Sequence, residues 1–132
     1  MNRKILVIED DPNALRLVGY TLEQEGYQVV TASDGLEGLA KARDEHPDLI
    51  VLDIMLPGLD GYEICYQLRK QLDTSVLPIL VISARARQDD KDIGFRVGAD
   101  DYLTKPVDPL TMVAQIKTLL AKIGQKNPNV KD

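Results

Sequence analysis

Three short runs constrain this chain more than anything else in it. Residues 5–8 (ILVI), 49–52 (LIVL) and 79–82 (ILVI) are apolar at every position. A strand that is apolar on both alternating faces must be covered on both, and a parallel sheet with helices above and below does this. Two weaker runs complete a set of five. Residues 27–31 (YQVVT) follow a glycine and residues 101–104 (DYLT) carry polar side chains, so both read as edge strands.

Helical spacing fills the intervals. After Pro12, Leu15, Val18 and Leu22 fall at i, i+3 and i+7, and Gly26 stops the helix. Asp34 caps a second helix with Leu36, Leu39 and Ala40 inward, ending before Pro47. A third starts near Asp60-Gly61 and carries Ile64, Cys65 and Leu68. The last starts at Asp108-Pro109, a cap followed by proline, with Val113, Ile116 and Leu120 inward. The fourth, between Arg87 and Val97, has few apolar residues and Gly94 at its middle, with Gly98 to end it. Its seam is thin, which predicts the least firmly docked helix.

Strand and helix thus alternate five times. Right-handed crossovers then predict a doubly wound (βα)5 sandwich of the flavodoxin-like kind, a five-stranded parallel sheet in the order 2-1-3-4-5. Residues 1–123 form this single domain, and residues 124–132 read as a polar tail or the start of a linker. In such sheets ligands bind at the carboxyl ends of the strands, where the first and third strands part.

That edge is rich in acid. The first strand ends in Glu9-Asp10-Asp11 and the third in Asp53, four carboxylates that repel one another unless a cation joins them. Oxygen ligands of this kind suit Mg²⁺ or Mn²⁺, and with no His or Cys nearby zinc is disfavoured. Asp11, beside Pro12, fits a helix cap; capping does not explain Asp10 with the acids around it. The fourth strand brings Ser83-Ala84 to the same edge, and the fifth brings Lys105-Pro106, whose peptide bond is a candidate for the cis form. A carboxylate nucleophile, metal-binding acids, a hydroxyl and a fixed ammonium suit the transfer of a phosphoryl group onto Asp53.

These residues, in IEDD (8–11), LDIMLPGLDG (52–61), ISA (82–84) and ADDYLTKP (99–106), resemble the receiver domain of two-component response regulators over residues 4–123. The resemblance implies that Asp53 is phosphorylated by a sensor histidine kinase or a histidine phosphotransfer protein. It implies Asp10 as a direct ligand of the metal, Glu9 acting through water, and Met55 giving its backbone carbonyl. Lys105, Ser83 and the Ala84 backbone would bind the phosphoryl oxygens. Ser83 and Tyr102 would be switch residues, facing away from the site until phosphate draws the Ser83 hydroxyl in and frees space for the Tyr102 ring. The readout would be the face of the fourth helix, fifth strand and fifth helix. Such a domain catalyses only its own phosphorylation and dephosphorylation. Met55 and Arg85 flank the path of hydrolytic water, and neither orients it, so slow loss of phosphate is expected. Two departures from the family pattern are Ser83, often threonine, and Val107, usually phenylalanine.

Other readings fit less well. A haloacid-type phosphatase needs a second aspartate at position 55, a flavodoxin needs a hydroxyl-rich phosphate loop, and no GxxxxGK[ST] or GxGxxG is present. The net charge of −5 argues against direct nucleic-acid contact by this domain. There is no apolar membrane span or signal-peptide pattern, and Cys65 is the only cysteine, so a cytoplasmic protein is expected. The chain is either a stand-alone receiver or the portion of a regulator that precedes a DNA-binding or other output domain. A homodimer through the readout face is open, although Thr111-Met112 and Ala114-Gln115 replace the Glu and Arg of the dimerising subclass. Asn13, Arg16 and Leu17 would meet the kinase. His46 reads as a solvated helix end, Cys65 as packing, and Asp89-Asp90 with Lys91-Asp92 as a solvated helix face or as ion pairs across a dimer.

Overall fold

The computed structural model describes residues 3–126, with side chains from 3 to 122. The elements in chain order are β1 (Lys4–Ile8), α1 (Pro12–Gln24), β2 (Gln28–Ala32), α2 (Gly35–Asp44), β3 (Leu49–Asp53), α3 (Gly61–Lys70), β4 (Ile79–Ser83), α4 (Gln88–Arg96), β5 (Asp101–Thr104) and α5 (Pro109–Lys126). All four strand pairings are parallel, in the order β2-β1-β3-β4-β5. This is the doubly wound sandwich that the apolar runs demand.

Alternation along each strand explains why those runs tolerate no polar residue. Leu6, Ile8, Ile50 and Leu52 face a layer that includes Ile64, Cys65 and Leu68 of α3. Ile5, Val7, Leu49 and Val51 face the opposite layer, with Leu22 of α1 and Met112, Ile116 and Leu119 of α5. Both sets are fully or almost fully buried. Cys65 lies inside the first layer, and burial pushes its thiol up to about 11, so it is packing rather than chemistry.

β2 starts at Gln28 because Tyr27 still closes α1: its N–H donates to Leu22 O, while Gly26, at φ +91°, donates to Glu23 O. That double closure through a left-handed glycine is a Schellman turn. In α2 the inward face is not the one predicted. Leu36 is 70 % exposed, Leu39 and Ala40 are half-buried, and Gly35, Gly38 and Ala42 are the buried positions. The helix lies so near the sheet that a Cβ on Gly38 would sit 2.5 Å from Ile8 Cδ1, leaving room only for small residues.

The remaining helices follow their periodicity. Ile64, Cys65 and Leu68 of α3 are buried, as are Val113, Ile116 and Leu120 of α5. α4 buries only Gly94, which is the thin seam expected, and Gly98 at φ +120° follows it. His46 is exposed just past α2, with φ +52°. α5 runs to Lys126, three residues past the expected boundary, and the rest of the predicted tail, 127–132, lies outside the described residues. Among the described residues no helix is long and apolar enough to cross a membrane.

Candidate functional site

Parallel register delivers the acids to one place. Ile8 pairs with Leu52, so the next residues, Glu9 and Asp53, leave their strands side by side at the carboxyl edge. Both are only 5 % exposed, whereas Asp10 is open to solvent. Carboxylate oxygens of Glu9, Asp10 and Asp53 lie within 4.8 Å of one another, an all-oxygen set of the kind that could hold a hard metal ion. Asp11 caps α1 by accepting from Asn13 N–H at 3.1 Å, and its own N–H donates to Glu9 Oε2 at 3.1 Å. It therefore orients a member of the set.

Lys105 arrives from the end of β5. Its Nζ stands 2.8 Å from Glu9 Oε1 and 2.9 Å from Asp53 Oδ2, bridging the two buried carboxylates. The peptide between Lys105 and Pro106 is cis, and Lys105 N–H donates to Ser83 O at 2.8 Å. Asp53 Oδ1 is fixed by the Met55 N–H at 3.0 Å. A cleft of about 450 Å³ opens beside Glu9, Asp53 and Lys105, with Leu17, Val18 and Val107 on its apolar side.

The charges lean on one another. Burial raises the Glu9 pKa above the ordinary carboxylate value, and the charge on Asp53 adds to this, while Lys105 and the Asp11 N–H pull it down. For Lys105 burial works against the ammonium, but its hydrogen bonds to Glu9 and Asp53 outweigh that and raise its pKa. A lysine raised in the folded state contributes stability that is whole below its unfolded pKa and is lost only as pH rises through the folded one. At neutral pH the contribution is complete. In divalent-free buffer Lys105→Met should thus cost about 2 kcal/mol at pH 7, discounted from a fully buried pair because the lysine is part-exposed. The deficit should shrink towards pH 5 as Glu9, already raised, takes up a proton. Urea unfolding at both pH values checks this, and a deficit that is equal at the two, or absent, contradicts it.

Ser83, the last residue of β4, is fully buried, and its Oγ accepts from Arg85 N–H at 3.1 Å. Ala84, Arg85 and Met55 are exposed. The Tyr102 ring is buried, 7 % exposed, with the hydroxyl donating to Arg85 O at 2.8 Å. The reason is Gly94: a Cβ there would lie 3.1 Å from Tyr102 Cδ2, so the missing side chain makes the room.

Tyr62 escaped the sequence reading. Its hydroxyl donates to Asp90 O in the first turn of α4 at 2.9 Å, and the Arg85 guanidinium lies 5.8 Å above its ring. Burial, followed by the neighbouring Tyr102 hydroxyl, pushes its phenol up to about 12, so it remains a donor at neutral pH. The only signal for it was an aromatic residue directly after Asp60-Gly61, beneath a helix that carries a glycine.

A family model described as the response regulator receiver domain matches residues 5–117. The alkaline phosphatase synthesis transcriptional regulatory protein PhoP of Bacillus subtilis (strain 168) is 51 % identical over 122 residues, covering 92 % of this chain and 50 % of PhoP. The chain thus spans about half the length of such curated relatives. Protein PilH of Pseudomonas aeruginosa is 41 % identical, over 89 % of this chain and 98 % of PilH. The receiver domain of a sensor histidine kinase from P. aeruginosa PAO1, solved with a magnesium ion coordinated in its active site cleft, superposes with a TM-score of 0.85. It is 29 % identical and matches 92 % of this chain and 99 % of its own.

Proposed function

This chain belongs to the response regulator receiver domain family, and from that premise we propose that Asp53 is its phosphoacceptor. The observation that carries the reading is the buried Asp53 carboxylate, held 2.9 Å from Lys105 Nζ and within 4.8 Å of Glu9 and Asp10. A carboxylate oxygen of Asp53 attacks phosphorus, the bond from phosphorus to the donor's imidazole nitrogen breaks, and the imidazole keeps the electron pair. The product is an acyl phosphate.

Each neighbouring group has a task. Lys105 neutralises charge on the transferred oxygens, while Ser83 Oγ and the Ala84 N–H donate to them. Glu9, Asp10, Asp53 and the Met55 carbonyl would hold Mg²⁺ or Mn²⁺. The all-oxygen donor set fits such an ion, which when bound offsets the negative charge gathered around phosphorus. The cognate donor is a sensor histidine kinase or a histidine phosphotransfer protein in the cytoplasm, met along α1 near Asn13, Arg16 and Leu17. The output surface is α4, β5 and α5, free to bind a partner or a second copy, with no nucleic-acid or membrane contact by this domain. Coverage of half of PhoP and nearly all of PilH supports two settings, the front of a longer regulator and a receiver alone.

Hydrolysis should be slow. Met55, 51 % exposed, and Arg85 crowd the approach, and neither carries a carboxylate or amide to hold a water in line. Incubation with acetyl phosphate and Mg²⁺ should add the mass of one phosphoryl group to the intact chain, and EDTA should abolish the gain. After donor removal the increment should persist for minutes to hours. An unchanged mass with donor and metal present refutes the reading, and decay within seconds refutes the account of Met55 and Arg85.

A further inference from the structure

The peptide of Arg85 is held at both ends by residues of the site. Its N–H rests on Ser83 Oγ at 3.1 Å, and its carbonyl receives the Tyr102 hydroxyl at 2.8 Å. Its side chain extends over the Tyr62 ring, and the Tyr62 hydroxyl binds Asp90 O inside α4. α4 has few other attachments. Its N-cap residue Arg87 makes no side-chain cap bond, and Gly94 is its one buried residue. A Cβ on that glycine would lie 3.1 Å from Tyr102 and 3.7 Å from Tyr62, so both rings floor the same point of the helix.

We propose that Tyr62 is a positioning residue of the switch, latching the first turn of α4 to the Ser83–Arg85 loop and favouring the arrangement in which Tyr102 is buried. The inference rests on the phosphoacceptor reading of Asp53. A phosphoryl oxygen that accepts from the Ser83 hydroxyl leaves a lone pair of that oxygen to the Arg85 N–H, so phosphate favours the present arrangement, in which Tyr102 on the carbonyl and Tyr62 under the guanidinium tie the loop to α4. A group that stabilises one end of such an equilibrium must alter ligand affinity at the other by the same factor.

Tyr62→Phe removes the latch and keeps the ring. Two results are expected, each about three- to tenfold, the scale of one hydrogen bond. Amide exchange across residues 88–94 should speed up, and the affinity for beryllofluoride, read by fluorine NMR in the presence of Mg²⁺, should fall. Tyr102→Phe should also weaken beryllofluoride, and the double variant should lose less than the product of the two single losses, because both hydroxyls act through Arg85 and α4. Unchanged affinity with unchanged exchange overturns the proposal. So does a lower melting temperature with exchange raised throughout the chain but affinity intact, the mark of a merely structural tyrosine. If the unsubstituted chain binds no beryllofluoride, the phosphoacceptor reading fails instead, and exchange in α4 still reports on the latch.

Discussion

Asp53→Asn should accept no phosphoryl group and yet be no less stable than the parent chain. The amide keeps the shape of the carboxylate and an oxygen for the Met55 N–H, which now bonds Oδ1 at 3.0 Å. What it lacks is an anionic oxygen to attack phosphorus, and removing a covalent nucleophile lowers rates by at least about a thousandfold. Stability should move the other way. Asp53 is a buried charge within 4.8 Å of two other carboxylates, with one ammonium shared between it and Glu9. Neutralising it removes a like-charge repulsion and a desolvation cost, at the expense of one charged contact to Lys105. Intact mass after saturating acetyl phosphate and Mg²⁺ reads the first effect, and thermal unfolding in EDTA reads the second. A full mass increment in the variant would move the acceptor to another side chain. A clear fall in melting temperature would mean that the Lys105–Asp53 contact outweighs the repulsion.

Much of this could be read from residue order because the governing signals are local. Three uninterrupted apolar runs force a sheet covered on both faces, and the parallel register then carries Glu9, Asp53, Ser83 and Lys105 to one edge without further information. What could not be read depends on contacts distant in sequence. Large residues mark a helix seam only where there is space for them. At α2 the approach of Ile8 reverses the rule, burying Gly38 and turning Leu36 outwards. The burial of Tyr102 depends on a glycine in another element, and the role of Tyr62 depends on a carbonyl 28 positions away. Arg69 is a further case. Its guanidinium gathers the carbonyls of Ser75, Leu77 and Gly98 and the Asp100 carboxylate, tying α3 to the turns on either side of β4 and α4. An arginine near the end of an amphipathic helix offers no hint of that in its spacing.

Gly61→Ala sets propensity against packing most directly. Gly61 opens α3, and on helix propensity alone alanine should stabilise that position by up to about 1 kcal/mol. The fold predicts the opposite. An added Cβ would press on Ile54 Cα and come within 2.7 Å of Asp53 O and 2.9 Å of Ile54 O, all of them backbone atoms that no rotamer change can move aside. Gly61 N–H also donates to Ile54 O at 2.9 Å, so the loop from β3 is held against the helix start and cannot simply retreat. The substitution should therefore destabilise by about 3 kcal/mol, the upper end of the usual cost of overpacking, because the groups met cannot yield. Phosphorylation of the folded fraction should slow as well, because displacing residue 54 displaces Met55, whose N–H fixes the acceptor carboxylate. Gly58→Ala separates this mechanism from ordinary glycine chemistry. That residue has φ +77° but nothing within 4 Å of a Cβ, so its loss should cost only the backbone strain of about 1 kcal/mol. Urea unfolding of the two variants side by side decides the matter. Equal losses would mean that backbone conformation, not the close approach of α3 to the end of β3, is what glycine supplies at both positions.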